Sequence, residues 1–232
     1  MAFEREKENA ATAALEFVED GMTLGLGTGS TAKFFVEALA DEIADGLMVR
    51  CVPTSEETRR LAESLGISLV PVEQADRIHL TVDGADELDE QAQLIKGGGA
   101  ALLREKIIAN ASDLMVVIAD PSKQVEVLGS FPLPVEVTPF GFTITAKKVF
   151  DALRTSGVSR PRIDVRKGSA NKPLVTDGGN YILDCACSVI PDAPYAAQLL
   201  SAIPGVVEHG LFIGLARTVI IGSDDGASIF EY

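Results

Sequence analysis

The run Leu114-Met115-Val116-Val117-Ile118-Ala119 carries apolar side chains on both faces of any strand it forms. Such a strand has no face for water and needs cover on both sides, as in a parallel α/β sheet. The flanking pattern agrees. A helical segment over residues 4–18 precedes an apolar strand at residues 23–26. A helix starting at Ser30 or Thr31 then carries Ala32, Phe35, Val36, Leu39 and Ile43 on one face. A strand near residues 47–52, a helix over 56–65 stopped by Gly66, and a strand at 67–70 follow. Ile78, Leu80 and Val82 alternate with polar neighbours in a strand that ends at Asp83, and a helix over 100–110 leads into the apolar run. Repeated β-α-β order predicts an α/β, doubly wound (Rossmann-like) parallel sheet, with ligands at the carboxyl ends of its strands.

Beyond Gly129 the pattern changes. Pro132, Pro134 and Pro139 read as a linker, followed by a helix over 146–153. Short strands at 162–165, 174–176 and 181–185 and a helix over 195–202 then suggest a smaller α+β domain. The strand at 218–222 rejoins the first sheet. The expected division is residues 1–130 and 206–232 against residues 131–205.

Two glycine-rich segments fall where the strands end. Gly25-Leu26-Gly27-Thr28-Gly29-Ser30-Thr31 lacks the last glycine of a dinucleotide fingerprint and the lysine of a P-loop. Its backbone N–H groups, hydroxyls and helix N-terminus suit a monophosphate; an ordinary βα turn with a capping serine fits the same residues. In Asp83-Gly84-Ala85-Asp86-Glu87, two carboxylates close a strand, where they can accept hydrogen bonds from sugar hydroxyls or move their protons. An Asx turn is the plainer reading. Glu87, Asp89 and Glu90 read as a solvated face. Lys96-Gly97-Gly98-Gly99 then sets an ammonium beside costly, flexible backbone, with Glu105 on the following helix and Lys123 after the buried strand. His79 and His209 read as structural, and Cys185 and Cys187 as small fillers of a strand.

A net charge of −14 argues against nucleic acid and anionic membranes as partners. Residues 1–9 lack the apolar core of a signal peptide, and no apolar run is long enough for a membrane span. Three cysteines without CxxC spacing and two histidines offer no ordinary transition-metal site and point to a reducing cytoplasm.

Together with Phe131-Pro132-Leu133-Pro134-Val135-Glu136-Val137 and the Gly25, Asp83 and Lys96 segments, the chain closely resembles the ribose-5-phosphate isomerase A family over nearly its whole length. The glycine turn alone is shared with sugar-phosphate deaminases, CoA transferases and sensor domains. Residues 154–172 resemble the family least. The resemblance implies an aldose–ketose isomerase of the non-oxidative pentose phosphate pathway that needs no cofactor or metal. It would interconvert ribose 5-phosphate and ribulose 5-phosphate, as a homodimer or homotetramer. By position it implies Glu105 as the base, Lys96 as the support for the enediolate, and Asp83 and Asp86 as holders of hydroxyls that assist ring opening. It also implies substrate contacts from Lys7, Thr28, Gly29, Ser30, Thr31, Gly84, Ala85, Gly97, Gly98, Gly99 and Lys123. A sensor on the same fold would have no need for Lys96 and Glu105 together, and a CoA transferase would use a carboxylate as a covalent nucleophile.

Overall fold

A computed structural model describes residues 3–232. The chain begins with α1 (Glu4–Ala14), β1 (Thr23–Leu26), α2 (Ser30–Ala44), β2 (Arg50–Pro53), α3 (Glu56–Ser64) and β3 (Ile78–Asp83). Next come β4 (Glu87–Leu88), β5 (Leu94–Ile95), α4 (Leu102–Ala111), β6 (Ser112–Ala119), β7 (Leu133–Val137), α5 (Phe142–Thr155) and β8 (Arg162–Val165). The remainder is β9 (Tyr181–Ala186), α6 (Ala193–Ser201), β10 (Val206–His209), β11 (Leu211–Phe212), β12 (Thr218–Ser223) and β13 (Gly226–Glu231). These elements form two compact units, residues 1–85, 104–124 and 214–232 against residues 86–103 and 125–213.

The first unit is an α/β sheet of six strands in the order β13-β12-β6-β3-β1-β2. Pairings among β2, β1, β3, β6 and β12 are parallel, and β13 closes one edge antiparallel to β12. Strand alternation divides the cover between the two faces. Leu24, Leu26, Leu80, Val82, Val116, Ile118 and Ile220 bury themselves with Ala10, Ala14, Phe35 and Leu39 of α1 and α2. The opposite face turns Gly25 and Thr81 toward Ile108 of α4. The sheet thus has the doubly wound form, and its winding reverses between β1 and β3.

The second unit is α+β. Strands β10-β7-β9-β8 pair antiparallel, and their apolar residues pack with Val149, Leu153 and Leu200 of α5 and α6. A smaller sheet, β11-β5-β4, belongs to the same unit.

Several expectations change here. Residues 86–103 were expected in the first domain but group with the second, because β5 pairs with β11. Residues 206–213 do likewise, because β10 pairs with β7. The supposed linker holds β7, an inner strand despite Pro134. Residues 67–70 make only a single bridge, Cys51 to Leu69, and residues 174–176 form no strand. There the chain turns instead, with the Thr176 N–H donating to the Asn180 carbonyl. Among the described residues no helix is long and apolar enough to cross a membrane.

Candidate functional site

In the first unit the winding reversal places two loops at neighbouring strand ends, the position where open α/β sheets bind ligands. β1 runs out at Leu26 into the glycine turn, and β3 ends at the fully buried Asp83. Asp83 Oδ1 accepts the N–H groups of Thr28 (3.1 Å) and Gly84 (2.7 Å), fastening one loop to the other. Gly27 permits this approach, because a Cβ there would fall inside the Asp83 carboxylate.

Gly29 is the N-cap of α2, with φ 122°, and no side chain caps the helix. Ser30 and Thr31, expected as caps, lie inside the first turn instead. The terminal N–H groups therefore face outward in the arrangement that attracts anions. Lys7 Nζ donates to Ser30 Oγ at 3.0 Å, bringing a cation to the same turn. A hollow of about 400 Å³ opens beside it, lined by Gly27, Gly29, Ser30, Lys33 and Thr58 among others. Thr28 turns its hydroxyl inward. It meets Thr54 (2.8 Å), Ser55 (2.9 Å) and Thr58 (3.1 Å), while Thr58 donates to the Gly27 carbonyl and Thr54 to that of Leu26. This hydroxyl cluster stiffens the turn from behind. Ser55 also caps α3 by accepting the Thr58 N–H.

Glu105 lies in the first turn of α4 and is only 2% exposed. Its neighbour Arg104 reaches Glu56 at 3.1 Å. Hydrogen bonds from Arg59, then Arg104, hold the Glu56 carboxyl below its usual range. A larger hollow of about 560 Å³, lined partly by these side chains, holds none of the residues singled out from sequence. Lys123 is half-buried at the end of a short 3-10 turn whose N-cap is Asp120.

The second unit builds its part from the β4–β5 hairpin. Glu87 pairs with Ile95, so Asp86 and Lys96 are the next residues in register, and the Asp86 N–H donates to the Ile95 carbonyl at 2.8 Å. Lys96 is 2% exposed, with its ammonium 5.6 Å from the Phe212 ring centre. Its N–H donates to the Gly210 carbonyl (2.9 Å), while the Gly210 N–H donates to the Pro134 carbonyl (2.8 Å). Proline has no N–H to return that second bond, which leaves the Gly210 carbonyl to receive Lys96. Asp86 Oδ2 accepts the Gly98 N–H at 2.7 Å, and a Cβ on Gly98 would collide with that carboxylate. Ala85, the last residue of the first unit's first segment, is partly exposed, and Gly99 is exposed.

Glu87 corrects the sequence reading. It is buried rather than solvated, and its carboxylate accepts the N–H groups of Gly129 and Phe131. The histidines hold backbone, as expected: His79 Nδ1 accepts the Thr23 N–H, and His209 Nδ1 accepts that of Leu211. All three cysteines are free and buried. Sequence gave no sign of Arg166 and Asp184, which brace the glycine loop. Among the described residues no group of three or more His, Cys, Asp or Glu is placed to hold a metal ion.

The profile of the ribose 5-phosphate isomerase A (phosphoriboisomerase A) family matches residues 50–226. The chain is 59% identical over 228 residues to ribose-5-phosphate isomerase A of Maricaulis maris, covering 98% of each chain. A solved D-ribose-5-phosphate isomerase in complex with phospho-erythronic acid superimposes with a TM-score of 0.91 at 37% identity, covering 100% of each chain. Ribose 5-phosphate isomerase A of Methanocaldococcus jannaschii does so with a TM-score of 0.90 at 36% identity, again over 100% of each.

Proposed function

Because the chain belongs to the ribose-5-phosphate isomerase A family, we propose that Glu105 and Lys96 divide the chemistry of its reaction between them. The enzyme interconverts ribose 5-phosphate and ribulose 5-phosphate through an enediolate, a step of the pentose phosphate pathway. In our reading Glu105 takes the proton from C2 of the open-chain aldose and returns it to C1, giving the ketose. Lys96 donates to the oxygens that gain charge in between. Asp83 and Asp86 hold hydroxyls and pass a proton as the sugar ring opens. Such a base contributes roughly 10²–10⁴-fold, and one donor to a developing oxyanion about 3–4 kcal/mol.

The observation that carries this reading is the burial of Glu105 and Lys96, each 2% exposed. Glutamate and lysine are almost never fully buried unless paired or held by hydrogen bonds, and here one of each is buried in the segments that carry the family resemblance. Ser30, Thr31, Lys7 and Lys123, with the α2 N-terminus, hold the unreacting phosphate, and the Gly84, Ala85 and Gly97–Gly99 backbone lines the sugar. Thr28 braces that turn from behind, its N–H given to Asp83 and its hydroxyl bonded to Thr54, Ser55 and Thr58. Lys96 supplies the positive charge a metal would otherwise bring, so activity should survive exhaustive EDTA treatment without added cofactor.

The test is isomerisation in deuterated water by wild type and Glu105→Gln. Wild type should place deuterium on C1 of the ketose, and the variant should lose roughly 10²–10⁴-fold in kcat while still binding substrate. Turnover of the variant within a few-fold of wild type, or strict dependence on a divalent ion with no solvent deuterium incorporated, removes Glu105 from the mechanism.

We also place the enzyme in the cytoplasm, on its pathway and its three free, buried thiols, as a homodimer or homotetramer. Cell fractionation and sedimentation velocity test these two assignments.

A further inference from the structure

Arg166 follows β8 directly and keeps its side chain only 15% exposed. Its Nε and Nη2 grip both oxygens of Asp184 on β9, with Nε 2.9 Å from Oδ2 and Nη2 2.5 Å from Oδ1. Its Nη1 donates to the carbonyls of Gly97 and Gly98, each at 2.9 Å. One guanidinium thus ties the second unit's main sheet to the glycine loop beside Lys96.

The consequence lies in the peptide planes. The Gly97–Gly98 peptide has its carbonyl held by Arg166 and its N–H held by Asp86, so a planar trans unit is fixed at both ends. The next peptide has its Gly98 carbonyl held by Arg166, which directs the Gly99 N–H to the opposite side. Glycine backbone has the widest freedom to lose, and here that freedom is removed by a charge-assisted fork.

We propose that Arg166, oriented by Asp184, is a positioning residue for the isomerisation, fixing the Gly97–Gly99 backbone so that Asp86 and Lys96 keep their working orientation. The proposal rests on the reading that Glu105 and Lys96 divide the reaction between them, with Asp86 beside Lys96. A lysine at 166 would be a single point charge, unable to span the carboxylate and two carbonyls at once.

The test compares Arg166→Ala, Arg166→Lys, Asp184→Asn and the Arg166→Ala/Asp184→Asn pair in the intact enzyme, with Glu105→Gln as control. Misplacement near the chemistry costs about 10²-fold, so Arg166→Ala should lose about that in kcat, at a temperature where circular dichroism shows it folded. Inhibition by inorganic phosphate should change by less than about threefold, because Arg166 donates no hydrogen bond to the phosphate turn. Arg166→Lys should recover little of the rate. Asp184→Asn should fall between, and the pair should match Arg166→Ala alone because the two residues act as one.

A merely structural arginine would lower the melting temperature and leave kcat per folded molecule unchanged. That result, or full recovery by Arg166→Lys, overturns the proposal. If Arg166→Ala does not fold, Arg166→Lys decides it: a loss of roughly tenfold or more in kcat supports the proposal, and a smaller loss overturns it. An active Glu105→Gln sinks the underlying reading instead. An inactive Glu105→Gln beside wild-type Arg166 variants sinks only this inference.

Discussion

The two glycine-rich segments look alike in sequence and are held by opposite means. Residues 27–31 of the first unit rest on neutral hydroxyls, with Thr28, Thr54, Ser55 and Thr58 bonded behind the turn. Residues 97–99 of the second unit are gripped by charges, Asp86 from one side and the Arg166–Asp184 pair from the other. Neutral support leaves a helix N-terminus free to greet an anion, and an anion that does not react needs only a stationary cradle. Charged support fixes dipoles that must already point correctly when charge develops in the substrate. In the proposed function the difference separates anchoring from chemistry, and each segment can be broken separately.

Lys96→Met should give the largest effect. Removing a donor to a developing oxyanion costs roughly 10²–10³-fold in kcat, and inhibition by inorganic phosphate should hold near wild type. Gly98→Ala should approach the same loss, because the new Cβ displaces the Asp86 carboxylate. Steady-state kinetics with a phosphate-inhibition series checks both. An equal loss of phosphate affinity would erase the distinction between the segments.

Thr58→Val tests the neutral support. Thr58 bonds Thr28, Ser55 and the Gly27 carbonyl, so the variant strands buried polar partners. Leaving buried hydrogen-bonding groups unsatisfied costs about 1–3 kcal/mol, read by denaturant titration, with kcat nearly unchanged. A large fall in kcat at normal stability would mean the hydroxyl cluster takes part in chemistry. Lys7→Ala should act more gently, raising KM and the phosphate inhibition constant about tenfold through one lost charge-assisted bond and sparing kcat.

Much of this was legible because its signals are local. The strand at 23–26, the Asp83 terminus and the Lys96 block all sit within short spans of sequence. What stayed hidden depends on distant partners. Glu87 looks solvated beside Asp89 and Glu90, until the N–H groups of Gly129 and Phe131, 42 and 44 residues away, claim its carboxylate. Pro134 argued against an inner strand, since proline leaves a ladder bond unmade. The vacancy is filled from a third strand, where Lys96 donates to Gly210. Arg166 lies 68 residues from the Gly98 carbonyl it holds, with nothing nearby to mark it.

The smallest effect on activity concerns the thiols, which belong to neither segment. Cys51 packs in the first unit's core, and Cys185 and Cys187 in the second's. Burial pushes the Cys51 and Cys187 thiols up to about 12 and Cys185 upward as well. At pH 8 the folded protein then holds only about one thiolate in 10⁴ at Cys51 or Cys187, and iodoacetamide should leave activity intact. The sign follows from linkage. A thiol raised in the folded state costs nothing below its unfolded value near 9, so stability is flat through neutral pH. Above that the unfolded chain sheds protons the folded one keeps, and the Cys51 and Cys187 thiols each remove up to about 1.4 kcal/mol per pH unit until about 12. Urea titrations at pH 7, 8 and 10 should show equal stability at the first two and a loss at the third. Replacing Cys51 by Ala should remove its share of that alkaline slope. Rapid labelling of any of the three at pH 8 would mean its unit opens readily, and mass spectrometry of the labelled peptides would show which segment's scaffold is the looser.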